Sequence, residues 1–326
     1  MDAIARDTST ARGEAITLAA VLLAGAVLSW ASARYPAQLP GWAPWDFSWV
    51  EYLGCLLPVV WYARGVLRLA PDQRPPLWRQ LSFWLGMAGI YAVVQTRFSY
   101  IALHLFAATQ TQQFMLHDIG PFLVALAWPG EALAAGMPAV LLGLLKTRPV
   151  QAVLDVVQQP LIAGGLFILL LVLQVVPPVV FWVMIDWRFY DAMNVVMAVD
   201  GILFWSLVLD PRPRPPARIS FFGRMALAFF AMLPVMPLGA FIAFTHLDLY
   251  SYYEFCGRIS SAITALQDQQ YGGLILWIPG GFMGLAAVMV ALNYMRLADE
   301  SAERSASRTM ITVGELTIDP SAWTGR

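Results

Sequence analysis

The stretch QYGGLILWIPGGFMGLAAVMVALNYMR, residues 270–296, decides the fold class, because it carries no charged side chain before Arg296. A helix needs about 20 consecutive, mostly apolar residues to cross the hydrocarbon core of a membrane. The composition agrees, since hydrophobic residues make up 59% of the chain and charged residues 13%. Soluble domains are about 45–50% apolar and about 25% charged. We therefore predict an all-α fold, a polytopic membrane bundle of transmembrane helices.

Seven further stretches are long and apolar enough to span a membrane, which gives about eight predicted transmembrane helices within one domain, residues 1–296. With residues 270–296 they cover 15–33, 48–69, 80–96, 99–128, 159–186, 189–209 and 221–245. Residues 131–145 are apolar but too short to span, so we expect an interfacial or re-entrant helix there. Residues 297–326 are polar and are predicted to form a cytoplasmic tail.

The positive residues predict the orientation of these spans. Sixteen of the 20 Lys and Arg residues lie near the two termini and in three alternate connections, and the four opposite connections hold one each. Positive residues are retained on the cytoplasmic side of membrane proteins. We therefore predict a multi-pass membrane protein with both termini in the cytoplasm.

Polar side chains within the predicted spans concentrate in the outer half of the membrane. Thr109, Gln113 and His117 are spaced i, i+4 and i+8, so they form one stripe of a helix. Asp200 falls near the middle of its span, where a carboxyl group needs a partner or a proton. Further polar residues near the same side are Asp186, Asn194 and Asp268. Together they predict a pocket that opens to the outside.

Methionine and histidine residues on that side are candidate ligands for Cu(I), which prefers thioether and imidazole groups. Met193 and Met197 are four residues apart on one predicted span, and Met232 and Met236 are four apart on the next. The other candidates are His104, His117 and His246. Packing of the methionines and hydrogen bonding between helices remain alternative explanations. His104 and His117 lie about 140° apart on a straight helix, so they would not face the same ion.

Several other classes of protein lack support in the sequence. The motifs of serine hydrolases, phosphate-binding loops and HExxH metalloenzymes do not occur, so we predict a protein that is not an enzyme. A net charge of −1 without a long basic run argues against nucleic acid as a partner. The two cysteines, Cys55 and Cys256, are too few for a disulfide scaffold.

Four segments resemble the CtaG family of caa-type cytochrome c oxidase assembly proteins. The most specific is LQDQQYGGLILWIPGG, residues 266–281. The others are FMLHDIGPFLVALAWPGE (114–131), FYDAMNVVMAVDGILFWSLVLDPRP (189–213) and LDLYSYYEFCGR (247–258). The resemblance implies an assembly factor of the bacterial inner (plasma) membrane that handles or delivers copper from the outer side, with an oxidase subunit and the lipid bilayer as partners.

The sequence departs from the family pattern at positions that usually carry histidine. Thr109 and Gln113 stand where the resemblance places a histidine pair, Ile185-Asp186 matches a Trp-His element, and Asn194 lies in a third such stretch. Two alternatives to copper handling therefore stay open. One is a permanent structural subunit of an oxidase complex that has lost the metal site. The other is a small-solute or proton carrier that uses Asp200. A homo-oligomer is also compatible with the sequence.

Overall fold

The structure of the protein, a computed structural model, describes residues 2–255, 257, 259, 262–309, 311–313 and 316–318, with side chains for 13–255, 257, 259 and 262–305. The first helices are α1 (Asp2–Arg34), α2 (Trp49–Arg68), α3 (Leu77–Val94), α4 (Arg97–Ala102), α5 (Phe106–Phe114), the π-helix Met115–Ile119, α6 (Gly120–Leu126), α7 (Gly130–Gly136), α8 (Ala139–Leu145) and α9 (Arg148–Val157). Then come α10 (Pro160–Leu173), α11 (Pro177–Ile185), α12 (Trp187–Val208), α13 (Phe221–Met232), α14 (Val235–Phe244) and α15 (Ala265–Thr309).

Short elements complete the chain. Two 3₁₀ helices cover Pro36–Gln38 and Ser251–Glu254. Strands β1 (Ile311–Val313) and β2 (Leu316–Ile318) pair antiparallel after the last helix, with Thr312 opposite Thr317. The segment 131–145, expected as one interfacial or re-entrant helix, contains most of α7 and all of α8.

The polytopic helical fold is confirmed, but the count of eight spans is not. Within the described residues, five helices are long and apolar enough to cross a membrane, and the number rises to seven if each of two bent helix pairs counts as one span. The five are Gly13–Arg34, Trp49–Arg68, Trp187–Val208, Phe221–Phe244 and Ala265–Ser305. The stretch 80–96 lies in α3, which is not among them because Arg79 and Gln80 in its first turn lower its mean hydropathy.

Two predicted spans are interrupted. The stretch 99–128 divides into α4, α5, the π-helix and α6, and α6 is followed by a bend of 83° into α7. The stretch 159–186 divides between Leu173 and Pro177. Proline lacks an amide hydrogen and disfavours helical backbone at the preceding residue, and Val176 is indeed extended.

The last helix, unlike these interrupted spans, is longer than predicted. Proline commonly interrupts a helix, yet α15 continues through Pro279 from Ala265 to Thr309. Membrane helices tolerate an internal proline when neighbouring groups compensate for the lost hydrogen bond. The helix also extends beyond residue 296, where the polar tail was expected to begin.

Close backbone contacts fix the helix packing at a few glycines. A Cβ atom on Gly65 of α2 would lie 1.7 Å from the carbonyl oxygen of Ala132 in α7, and one on Gly136 would lie 1.8 Å from that of Trp61. On α12, a Cβ on Gly201 would lie 2.5 Å from the His117 carbonyl oxygen. These contacts hold α7 against α2 and α12 against the π-helix.

The apolar core consists of two clusters of buried side chains. One cluster includes Phe167 and Trp205 together with residues of α13, α14 and α15. The other includes Cys55, Leu116 and Met197, and joins α2, α3 and the π-helix to α12. Helix α12 contributes to both clusters, so it lies at the centre of the bundle and carries the polar residues described next.

Candidate functional site

A buried histidine and a buried aspartate meet at the centre of the bundle. The Nε2 atom of His117 lies 2.9 Å from Oδ2 of Asp200, although the residues are 83 positions apart. The His117 ring stacks on Phe167 with 4.1 Å between ring centroids, and Trp205 Nε1 donates to the His117 carbonyl at 3.0 Å. These contacts supply the partner that Asp200 was predicted to need and fix the orientation of the imidazole.

The local helix geometry displays His117 toward α12. His117 lies in the π-helix, a form that is rare and frequently found at functional sites. Its Nδ1 atom is buried and has no hydrogen-bond partner among the described residues. This nitrogen can therefore bind a metal ion through its lone pair while Nε2 is held by Asp200.

The methionines of α12 extend along the face that carries Asp200. Met197 precedes Asp200 by three residues and Met193 by seven, so all three lie on one face of the helix. Met197 is fully buried in the cluster with Leu116, the neighbour of His117. Met193 is half-buried and lines a small pocket with Thr109 and Gln113.

The remaining candidate ligands lie elsewhere. His104 lies in the turn before α5, where its ring contacts Tyr100 and its Nδ1 atom is 2.7 Å from the Tyr100 carbonyl. His246 is exposed in the segment after α14. Met232 belongs to the other apolar cluster and packs against α15, since its Cγ would lie 3.0 Å from a Cβ on Gly284. Met236 is 37% exposed. The two methionine pairs are therefore not brought together.

No group of three or more His, Cys, Asp or Glu residues is arranged to hold a metal ion in the part of the chain that the structure describes. Of the seven candidate copper ligands, His117, Met193 and Met197 occupy the same region of the bundle. A site built from them would rest on one imidazole nitrogen and thioether sulfur, a donor set that suits Cu(I) rather than a hard cation.

A buried carboxyl group that was not predicted lies near this region. Asn194 Nδ2 donates to Oε1 of Glu51 at 2.8 Å, and Gln95 Nε2 lies 3.3 Å from its Oε2. Gln95 also donates to the Ser48 carbonyl at 3.0 Å, and Gln113 Nε2 lies 3.3 Å from Asn194 Oδ1. Glu51 thus joins α2, α3, α5 and α12 through side-chain amides.

The other predicted polar residues have structural partners. Asp268 of α15 accepts from the backbone amides of Phe106 at 2.8 Å and Ala107 at 3.0 Å, so it caps the first turn of α5. Asp186 accepts from Arg188 N at 2.9 Å and caps α12. The Thr109 hydroxyl lies 2.7 Å from that of Tyr253. These contacts secure the helices around the His117–Asp200 pair.

Glu51 and Asp118 are absent from the residues predicted for the site. Asp118 follows His117 in the π-helix, is buried, and has one carboxylate oxygen without a hydrogen-bond partner among the described residues. Both are carboxylates within apolar stretches, and the cost of placing such groups in a membrane was the signal that could have identified them. Glu51 was concealed by its position near the start of a span.

Comparison with known proteins gives one match. Residues 60–296, more than half of the chain, match the family described as the cytochrome c oxidase caa3 assembly factor, CtaG. This range contains the four segments on which the resemblance was based, and the resemblance is confirmed. No curated protein and no solved structure matches the chain.

Proposed function

Since the chain belongs to the family of cytochrome c oxidase caa3 assembly factors, we propose that it assists oxidase assembly by holding Cu(I) as cargo at His117. It would do so from the outer side of the bacterial inner membrane, without catalysing a reaction. Met193 and Met197 are the accompanying ligands, and Asp200 positions the imidazole. The oxidase subunit that receives the copper would dock on the outer end of the bundle.

The observation that carries this proposal is the arrangement of the two His117 ring nitrogens. Metal-binding histidines almost always donate their second ring N–H to a carboxylate, a carbonyl or water. Here Nε2 contacts Asp200, and the buried Nδ1 has no partner among the described residues. Met193 and Met197, about two turns and one turn before Asp200 on α12, add soft thioether ligands on the same face.

Copper loading of the purified protein tests the proposal. We expect one Cu(I) per chain, in competition with a chromophoric Cu(I) chelator, and a loss of at least about tenfold in affinity in His117→Leu, Met193→Leu and Met197→Leu. His246→Leu and Met289→Leu, which change exposed residues, are the matched controls. Copper retention that none of the three site variants alters would contradict the proposal.

The separation of the other candidate ligands favours a second function, a permanent structural subunit of the oxidase that holds no metal. His104, His246, Met232 and Met236 lie in three different places, so most of the predicted set cannot act together. Mild solubilisation followed by purification of the oxidase distinguishes the two functions. Stoichiometric recovery of this protein with mature, copper-loaded oxidase would support the structural subunit, whereas recovery only with oxidase that lacks copper would support the assembly factor.

A further inference from the structure

A second region of the bundle has the features of a binding site and does not involve His117. A cavity of about 610 Å³ lies between α2, α3, α6, α7 and α12. Most of its wall is apolar and includes Cys55, Phe83, Ile90, Leu133, Val195 and Ile202. Ligand pockets are about 300–1,000 Å³, mostly apolar, with a few polar groups that orient the ligand. The cavity falls within that range.

Glu51 and Asn194 provide the polar groups at one end of this cavity, and Ser206 lies near the other end. Glu51 and Asn194 both line the cavity and are bonded to each other at 2.8 Å. Gln95 approaches Glu51 from α3, and its Oε1 atom, on a fully buried side chain, has no hydrogen-bond partner among the described residues. One oxygen acceptor at this end therefore lacks a donor. A bound group there would have to donate hydrogen bonds.

The space beyond Glu51 favours a head group without negative charge. A second cavity, of about 1040 Å³, shares Val50, Glu51 and Val94 with the first and is lined by the carboxylates Asp46 and Asp191. No Lys, Arg or His side chain lines it within the described residues. A phosphate or carboxylate head would meet like charges there. Arg97, which contacts Pro36 and Trp45 of this wall, is bonded to the Pro36 and Leu39 carbonyls and does not line the cavity.

An aromatic residue with an unusual backbone conformation lines the opposite end of the first cavity. Trp128 has a φ of 49°, in the left-handed region that bulky residues rarely adopt. The Arg212 guanidinium lies 5.0 Å from the centre of its ring and is itself bonded to Asp210, a bond that raises the pKa of Arg212. Strained backbone of this kind persists where the surrounding structure enforces it, commonly at ligand sites.

We propose that the cavity binds an amphiphile with one long apolar chain and a hydrogen-bond-donating head that carries no negative charge. The head lies at Glu51 and Asn194, and the chain extends between α2 and α12 toward Trp128. This site does not include the proposed copper ligands, so either proposal can be refuted without the other.

Photolabelling in nanodiscs of phosphatidylcholine tests the site directly. The probe is a long-chain primary alcohol with a diazirine at the end of its chain, and labelled peptides are identified by mass spectrometry. We expect labels near Val124–Leu133 and Ala198–Ser206, the walls around the far end of the cavity. The unlabelled long-chain amine and alcohol should compete, and the carboxylate of equal length should compete at least about tenfold more weakly.

Two glycine variants provide a matched pair. No described heavy atom lies within 4 Å of a Cβ built on Gly54, which lines the cavity, or on Gly165 of α10, which does not. Both changes to leucine favour helix, so neither should prevent folding. Gly54→Leu places a side chain at the cavity wall and should reduce labelling about tenfold, while Gly165→Leu should leave it unchanged. Glu51→Gln should remove the discrimination between amine and carboxylate.

Three results would overturn the proposal. Equal labelling of Gly54→Leu and the unmodified protein would mean that the chain of the probe lies in bulk lipid. Equal competition by the carboxylate would refute the assigned head group. A probe that enters the nanodisc but labels neither segment would show that the cavity takes no such ligand.

Discussion

Individual polar side chains in the membrane-spanning helices are held by partners from other helices. His117 and Asp200 contact each other at 2.9 Å, and Glu51 is bonded by Asn194 at 2.8 Å. A buried polar atom that loses its partner costs about 1–3 kcal/mol, more than an intact hydrogen bond contributes in net terms. The same contacts that orient a possible ligand therefore also stabilise the bundle.

The His117–Asp200 contact can be measured as a coupling. Asp200→Leu should lower the free energy of unfolding by about 1–3 kcal/mol, because His117 Nε2 would be buried without an acceptor. His117→Leu combined with Asp200→Leu should cost less than the sum of the single changes. Denaturation in detergent, followed by circular dichroism, gives the values.

The exposed Asp299, changed to leucine, is the control for Asp200 and should be nearly neutral. Strict additivity in the double variant would mean that the two side chains do not interact as the structure has them.

At the scale of the helices, the interruptions are compensated by contacts from distant parts of the chain. Helix α5 begins after a turn, and Leu105, the residue just before it, supplies no side-chain cap. Asp268 of α15 provides the missing acceptors, bonding the amides of Phe106 and Ala107. A carboxylate at a helix N-terminus also interacts favourably with the helix dipole. The short helix is thus stabilised by the last helix of the bundle.

Helices α2 and α7 pack so closely that a single methyl group should separate them. Gly65→Ala and Gly136→Ala would place Cβ atoms 1.7 and 1.8 Å from backbone oxygens, so α7 must move. We expect each to lower the free energy of unfolding by at least about 1–3 kcal/mol, as overpacking does. Thermal unfolding in detergent measures the change.

Gly143→Ala in α8 is the matched control, since no described atom lies within 4 Å of its Cβ. It should be neutral or stabilising by up to about 1 kcal/mol, because alanine favours helix over glycine. A destabilisation equal to that of Gly65→Ala would argue against the close α2–α7 contact.

Across the whole molecule, the connections gather at two ends of the bundle. At one end, Arg97 donates to the carbonyls of Pro36 and Leu39, at 3.4 Å each, and Ser48 donates to Asp191 at 2.6 Å. At the other end, Arg218 pairs with Asp155 of α9. Helix α3 has 18 residues, about 27 Å at 1.5 Å per residue, close to the thickness of the hydrocarbon core. The length of α3 therefore allows it to cross despite its polar first turn.

Cysteine labelling with an impermeant maleimide tests both the orientation and the crossing of α3. In a background of Cys55→Ala and Cys256→Ser, we expect Trp42→Cys, Tyr100→Cys and His246→Cys to react in intact cells. Asp72→Cys should react only after permeabilisation, because the positive residues of its connection predict a cytoplasmic location. Labelling of Tyr100→Cys and Asp72→Cys on the same side would show that α3 does not cross.

The sequence determined the fold class and the family. A membrane-spanning helix is recognised within about 20 consecutive residues, because the thickness of the hydrocarbon core imposes a local requirement on the chain. The string at residues 266–281 and three further segments were likewise sufficient for the family. Asp200 was identified as needing a partner for an equally local reason, the cost of a carboxyl group near the middle of a span.

Only the tertiary structure decided which polar residues meet. His117 contacts Asp200, while His104, His246 and the Met232–Met236 pair lie apart, and Glu51 joins a network that no spacing rule indicated. These contacts depend on the rotation and depth of each helix. Those are set by the breaks at Leu103–Leu105 and Gln174–Val176 and by the close approach at Gly201. Such contacts join residues far apart in the chain, and helical periodicity describes only one helix at a time.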